Sequence, residues 1–188
     1  MKRVAVKVEV PDLPELERRM NEISLEFEPT LYQHDRIFIQ RGFKRGMNMP
    51  RMVMRTEMSA VDKPAVYKLM LKRHIEDSGI EIVHRSMVGD YTEIVGILQQ
   101  MGFVLDSEVS RKRRKIELSE TSRIYLDKVD GLANAYLKIE TALGPDDKVS
   151  DVVADLKRTL KLFHLGNDGL TQKPYFELLK NRDIIEAK

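Results

Sequence analysis

Val4, Val6, Val8 and Val10 alternate with Arg3, Ala5, Lys7 and Glu9 near the start of the chain. A period of two with charge on one parity is what a β-strand needs when one face meets an apolar core and the other a polar environment. The pattern recurs. Arg51 and Arg55 flank Val53, and Lys68 and Lys72 flank Met70. Arg111, Arg113 and Lys115 share a parity, as do Arg123, Tyr125 and Asp127, and then Lys138 and Glu140. One such stretch is an ordinary amphipathic strand. Repetition of basic parity in at least four of them points to strands that jointly line a cavity.

Helical spacing occurs in four places. Asp12 can cap a helix running to about Phe27, with Pro14 in its first turn and Leu13, Leu16, Met20 and Ile23 as its apolar stripe. Asp90 can cap a second, with Ile94, Ile97, Leu98 and Met101 inward and Gly102 as the stop. A third starts at Ser150 and carries Val153, Leu156, Leu160 and Phe163; a fourth starts at Thr171 and carries Tyr175, Leu178 and Leu179. Val10-Pro11-Asp12 and Val88-Gly89-Asp90 each end a strand at a helix cap, and at that offset Leu16 falls on Ile94 and Met20 on Leu98. The reading is an α+β fold, strand-rich with helices outside, in one domain over 1–188 with pseudo-repeated halves at about 1–75 and 80–188. Loops are expected at 42–50, 61–64, 144–148 and 165–169.

The 188 residues include 32 Lys and Arg against 30 Asp and Glu, a formal charge of only +2. That average hides concentration. Between Arg36 and Arg73 ten basic residues face only Glu57 and Asp62, and Arg111 to Lys115 are five basic residues in a row. Such segments suit a polyanionic partner or form solvated faces. A 42% hydrophobic fraction supports a core, and no apolar run of ~18 residues exists to span a membrane. The sequence has no cysteine, which excludes disulfides, thiolate metal sites and cysteine nucleophiles. A cytoplasmic location is expected, without a membrane partner. No phosphate-loop, dinucleotide-loop or nucleophile-elbow motif is present, and His34, His74, His84 and His164 have no ligand-like spacing.

A closed or nearly closed antiparallel sheet with a polar inner face holds water or a polar ligand. Inward Arg and Lys repel one another, and an anion is their complement; Arg can grip phosphate with two hydrogen bonds. Chemistry on a phosphate chain would further call for a divalent cation held by carboxylates. The inward parities carry Glu9, Glu57, Glu81, Asp127 and Glu140, with Asp127 and Glu140 on adjacent strands. Each can serve as a metal ligand or as the ion-pair partner of a neighbouring cation.

Several segments in order resemble one family. They are Lys7-Val8-Glu9-Val10-Pro11-Asp12-Leu13, Leu69-Met70-Leu71-Lys72, Ile97-Leu98-Gln99-Gln100-Met101-Gly102-Phe103, Val109-Ser110-Arg111-Lys112-Arg113, Ile124-Tyr125-Leu126-Asp127-Lys128-Val129-Asp130-Gly131-Leu132 and Pro174-Tyr175-Phe176-Glu177-Leu178-Leu179. Together they resemble the CYTH, or triphosphate tunnel, superfamily, particularly its CyaB-type class IV adenylyl cyclase and thiamine triphosphatase branch. The resemblance implies an eight-stranded antiparallel β-barrel, a tunnel that binds a triphosphate and uses Mg²⁺ or Mn²⁺ to hydrolyse or cyclise it. Carried over by position, it implies that Lys7, Arg55, Lys72, Arg111, Arg113 and Arg123 hold phosphate oxygens and that Asp127 and Glu140 lie in the metal region. It also implies a homodimer.

The departures concern acids. The family's opening E-x-E-x-K falls on Arg3-Val4-Ala5-Val6-Lys7 and its later E-x-E on Lys138-Ile139-Glu140, so three of four signature carboxylates are replaced. Val53 also stands where an arginine is expected. A cation at such a position repels a metal ion. The sequence therefore leads to a CyaB-like protein that binds a triphosphate-containing small molecule or nucleotide in a basic tunnel. A metal-dependent cyclase or triphosphatase is the alternative. A nucleic-acid binder using Arg36 to Arg73 and Arg111 to Lys115 outside the barrel ranks last, because few aromatics accompany those cations to stack on bases.

Overall fold

The computed structural model describes residues 1–43, 49–59, 63–75, 80–166 and 169–186, with side chains described as far as Lys180. Strands β1 (Lys2–Val10), β2 (Leu31–Gln40), β3 (Arg51–Ser59), β4 (Val66–Ile75), β5 (Ile80–Val88), β6 (Phe103–Glu117), β7 (Ser122–Val129) and β8 (Ala135–Ala142) form one antiparallel sheet. Its order is β5-β4-β3-β2-β6-β7-β8-β1, and β1 returns to β5, so eight strands close a barrel. The closing seam is short, with Lys2, Arg3 and Val4 opposite Ile82, Glu81 and Ile80. Further along the same edge of β1, Lys7 and Val8 pair with the two-residue strand β9 (Leu170–Thr171). This antiparallel barrel is the architecture implied by the resemblance.

The alternation decides which side chains point where. Val4, Val6, Val8 and Val10 face outward and are buried with Leu137 and Ile139 of β8 beneath helices α1 (Leu13–Glu22) and α3 (Val149–Leu162), which contribute Leu16, Met20, Leu156 and Leu160. On the opposite side, helix α2 (Tyr91–Gln100) covers Phe38 of β2 and Met54 of β3 with Leu98. Burying a side chain of this size contributes about 1.5–3 kcal/mol. With the outer faces so covered, the other parity turns into the barrel.

Asp12 and Asp90 both accept a hydrogen bond from the backbone N–H three residues on, as capping side chains. Helix α1 ends at Glu22, earlier than the expected Phe27. Ser24 takes a left-handed conformation (φ 58°), and the N–H groups of Ser24 and Leu25 close on the carbonyls of Asn21 and Met20. Ile23 therefore leaves the apolar stripe and is exposed. Gly102 (φ 84°) ends α2 as expected, although Ile97 and Met101 point to solvent. Helix α3 begins at Val149, and the fourth helix begins later than expected: Thr171 belongs to β9, and α4 (Tyr175–Glu186) starts after Pro174. The expected loop at 144–148 connects β8 to α3, whereas those at 42–50, 61–64 and 165–169 fall partly outside the described residues, as do Lys44, Arg45 and Asp62. No helix is long and apolar enough to cross a membrane.

Candidate functional site: a cationic tunnel

The barrel encloses a cavity of about 390 Å³, within the range of small-molecule sites. Twelve Lys and Arg line it against five Asp and Glu. All six residues expected to hold phosphate are on the lining: Lys7, Arg55, Lys72, Arg111, Arg113 and Arg123. Arg51, Lys68, Lys115 and Lys138 join them. The basic run between Arg36 and Arg73 is thus divided by alternation, with Arg51, Arg55, Lys68 and Lys72 inward, while Arg36 lies on the outer face and pairs with Glu108.

One end is blind. Ile37, Val53, Met70 and Val109 turn inward there and pack against Tyr175 and Phe176 at the start of α4. Val53, at the position expected to carry arginine, belongs to this apolar floor. Residues Thr171 to Phe176 reach it because β9 is paired to β1, and the Lys7 ammonium donates to the carbonyl of Lys173 at 2.5 Å while lying 4.1 Å above the Tyr175 ring. The Arg51 guanidinium stacks over Phe176 at 4.8 Å.

Several arginines are fixed by buried acids. Asp35 of β2 takes Arg55 bidentately, at 2.6 and 2.8 Å, and Arg111 at 2.8 Å. Gln33 accepts from Arg111 at 2.9 Å and donates to Glu57 at 2.8 Å, and Glu57 also pairs with Lys68. Burial alone would raise the Asp35 carboxyl, but Arg111 and Arg55 hold it well below the usual carboxylate range. Asp127, with no accessible surface, takes Arg113 bidentately at 2.6 and 2.5 Å and the Tyr175 hydroxyl at 2.8 Å. Its burial is likewise outweighed by Arg113, which keeps the carboxyl low.

Glu140 stands directly across from Ala5. Its Oε1 accepts from Arg3 at 3.0 Å and from the Tyr125 hydroxyl at 3.0 Å, and its Oε2 accepts from Lys138 at 2.6 Å. Burial would raise this carboxyl, but Lys138 and Arg3 lower it to about 2. Arg3 also donates to Glu81 of β5 at 2.8 Å, and His74 lies 3.4 Å from the other oxygen of Glu81. Of the alternatives open for the inward acids, the structure places Asp127, Glu140, Glu81 and Glu57 in ion pairs. Glu9 is bonded to Asn134 at 2.6 Å, away from the lining.

The expected pairing of Asp127 with Glu140 as a metal region does not form in this arrangement. They are on adjacent strands, but Asp127 is opposite Tyr136 and Glu140 opposite Arg123, four positions or ~13 Å apart along the sheet. Among the described residues no three His, Cys, Asp or Glu side chains come together in a way that could hold a metal. The oxygens of both carboxylates are already occupied by cations and tyrosine hydroxyls, so the residues present do not fit a divalent ion.

Two lysines are left under-compensated. Lys72 has no hydrogen-bond or ion-pair partner among the described residues, and burial lowers its ammonium from 10.5 to about 7, with Glu81 and Asp35 only partly offsetting the loss. Burial lowers Lys7 to about 7 as well, helped by Lys138 and Arg111 and opposed by Asp127. Arg123, by contrast, sits toward the rim and pairs with Glu117 at 3.2 Å.

No family model and no curated protein sequence matches this chain. Solved structures do match over nearly its full length. A Pyrococcus horikoshii protein superposes with a TM-score of 0.83 at 19% identity, over 96% of this chain and 99% of its own. A candidate adenylate cyclase from Vibrio parahaemolyticus gives 0.80 at 15% identity, over 95% and 97%. A candidate adenylyl cyclase from Hippeastrum, described as having a dominant triphosphatase activity, gives 0.62 at 14% identity, over 96% of each chain. The chain has the CYTH-like tunnel fold that its motifs implied.

Proposed function

We propose that the tunnel binds a small molecule carrying a triphosphate or a similar phosphate chain, with Lys7, Lys72, Arg55, Arg111 and Arg113 as its principal contacts and Arg123 at the rim. The observation that carries this reading is Lys72, enclosed in the barrel with no hydrogen-bond or ion-pair partner among the described residues, beside a lining in which the described cations outnumber the acids twelve to five. Burying an unpaired ammonium is costly, and a structure retains it when an anion is there to compensate. Arginines locked on Asp35 and Asp127 present their remaining N–H groups in fixed directions, which suits the tetrahedral oxygens of phosphate. The tunnel fold shared with candidate adenylyl cyclases supports the same ligand class.

Catalysis is a separate matter, and the site opposes it at the metal. The carboxylates that would recruit a divalent ion are engaged by Arg3, Lys138 and Arg113. Binding without turnover is therefore the function assigned.

Thermal unfolding with tripolyphosphate, ATP and thiamine triphosphate tests the assignment. Ligand at a hundred times its Kd stabilises by about 2.7 kcal/mol, a rise of about 5–10 °C for a chain of this size. At least one of the three is expected to produce it, and at the same ligand concentration Lys72→Met is expected to cut it to about 0.4–1.4 kcal/mol. No shift with any ligand would end the proposal. Rapid Mg²⁺-dependent release of pyrophosphate or phosphate from the same samples would replace it with an enzymatic one.

A further inference from the structure

We propose that Arg3 and Lys138, clamped on Glu140, occupy the role of a divalent cation, so that the tunnel takes its phosphorylated ligand as the free polyanion and not as a metal complex. This rests on the preceding assignment of a phosphate ligand and specifies the form in which that ligand is bound.

The three residues lie together by register. Ala5 is opposite Glu140, Lys7 is opposite Lys138, and Arg3 is one inward step further along β1. Ala5 offers no ligand atom. Glu140, the remaining carboxylate there, has both oxygens engaged, Oε1 by Arg3 at 3.0 Å and Oε2 by Lys138 at 2.6 Å. Glu81, the next acid, is held by the same Arg3 through Oε2, with His74 3.4 Å from its other oxygen. A hard cation needs several oxygen ligands at about 2.0–2.6 Å, and with both oxygens of Glu140 and Oε2 of Glu81 already accepting hydrogen bonds, too few are left to build that shell. An entering ion would also meet the Arg3 guanidinium and the Lys138 ammonium already hydrogen-bonded to Glu140.

The same two cations keep donors to spare. Arg3 has five N–H groups and directs three toward Glu81 and Glu140; Lys138 has three and directs one to Glu140. Fixed by the acids between them, they are positioned to give the remainder to phosphate oxygens, as a bridging metal would. A triphosphate that arrives with Mg²⁺ has part of its charge cancelled and brings a second cation into an already cationic wall. The free anion is the better complement, and Mg²⁺ acts as a competitor for it.

Calorimetric titration of tripolyphosphate into the full chain, in EDTA and again with Mg²⁺ in large excess over ligand, distinguishes the cases. Binding is expected in EDTA and to weaken by about tenfold or more with Mg²⁺. Mn²⁺ alone, followed by its paramagnetic resonance signal, is expected to stay free in the presence of the protein. A Lys138→Met chain should bind tripolyphosphate more weakly in EDTA without acquiring Mn²⁺ binding. Affinity that rises with Mg²⁺, or Mn²⁺ captured by the protein alone, would overturn this inference and leave the phosphate-binding assignment standing. Absence of binding in both conditions would instead overturn the assignment, and the inference with it.

Discussion

The Tyr175 hydroxyl donates to Oδ2 of Asp127 at 2.8 Å, and the same oxygen accepts from Arg113 at 2.5 Å. One fully buried carboxylate thus joins the first residue of α4 to the barrel wall and holds a tunnel arginine. The two partners are not equivalent. Asp127→Asn leaves the Arg113 guanidinium without its counter-charge in a buried setting and should cost about 3–5 kcal/mol. Tyr175→Phe removes one hydrogen bond to a carboxylate and should cost about 1.5–3 kcal/mol. Urea unfolding with unchanged slope is the measurement. Equal losses for the two variants would show that Arg113 finds another anion.

Lys72 should behave in the opposite sense for stability and for binding. Replacing it by Met removes a charge that burial penalises while preserving most of its volume, so the ligand-free chain should gain on the order of 1 kcal/mol. A charge-assisted hydrogen bond to phosphate contributes about 1.5–3 kcal/mol, so affinity for tripolyphosphate should fall by about 10- to 100-fold. Thermal unfolding and calorimetry on the same preparation check both. A variant that lost stability and kept its affinity would place Lys72 in the structural framework alone.

The pH dependence follows from the two lowered lysines. Lys7 and Lys72 stand at about 7 in the free tunnel against 10.5 in an unfolded chain. The unfolded state therefore binds more protons between pH 7 and 10.5, and stability of the free protein rises across that window. Below pH 7 the cost of burying both charges is present in full. An anion reverses the preference by favouring the charged form, so binding takes up protons and weakens as the pH rises above 7. Titrations in two buffers of different ionisation enthalpy count those protons. Zero uptake at pH 7.5–8 would show that both lysines are already charged without ligand.

Much of the barrel was legible where a strand's outer face is apolar. In β1 the four valines leave no ambiguity about which parity turns inward, and in β3 Met52 and Met54 mark the outer face in the same way. Strand β2 escaped detection for the converse reason. Its outer positions include Tyr32, His34 and Arg36, and its inner ones Gln33 and Asp35, so polarity does not separate the faces. Asp35, which organises Arg55 and Arg111, was missed with it. The signal that could have found it is Leu31, Gln33, Asp35 and Ile37 read as a further inner-facing parity next to strands rich in arginine.

The late start of α4 has a similar origin. Thr171 and Gln172 read as a helix beginning, but pairing with Lys7 and Val8 keeps the chain extended until Pro174. A two-residue ladder that joins Thr171 and Leu170 to Lys7 and Val8, at the other end of the sequence, leaves no trace in local spacing. The ion pairs of Glu140 were half legible: the sequence showed cations where acids were expected, and only the register showed that Arg3 and Lys138 converge on the acid that remained.

The short seam between β1 and β5 links these observations in a further way. Arg3 and Glu81 are directly opposite one another in that seam and are also ion-paired across it. Charges that line the tunnel therefore also act as the clasp of the cylinder. Occupancy and opening share one set of contacts, so amide exchange at Lys2–Val4 and Ile80–Ile82 becomes a built-in gauge of whether the tunnel is filled.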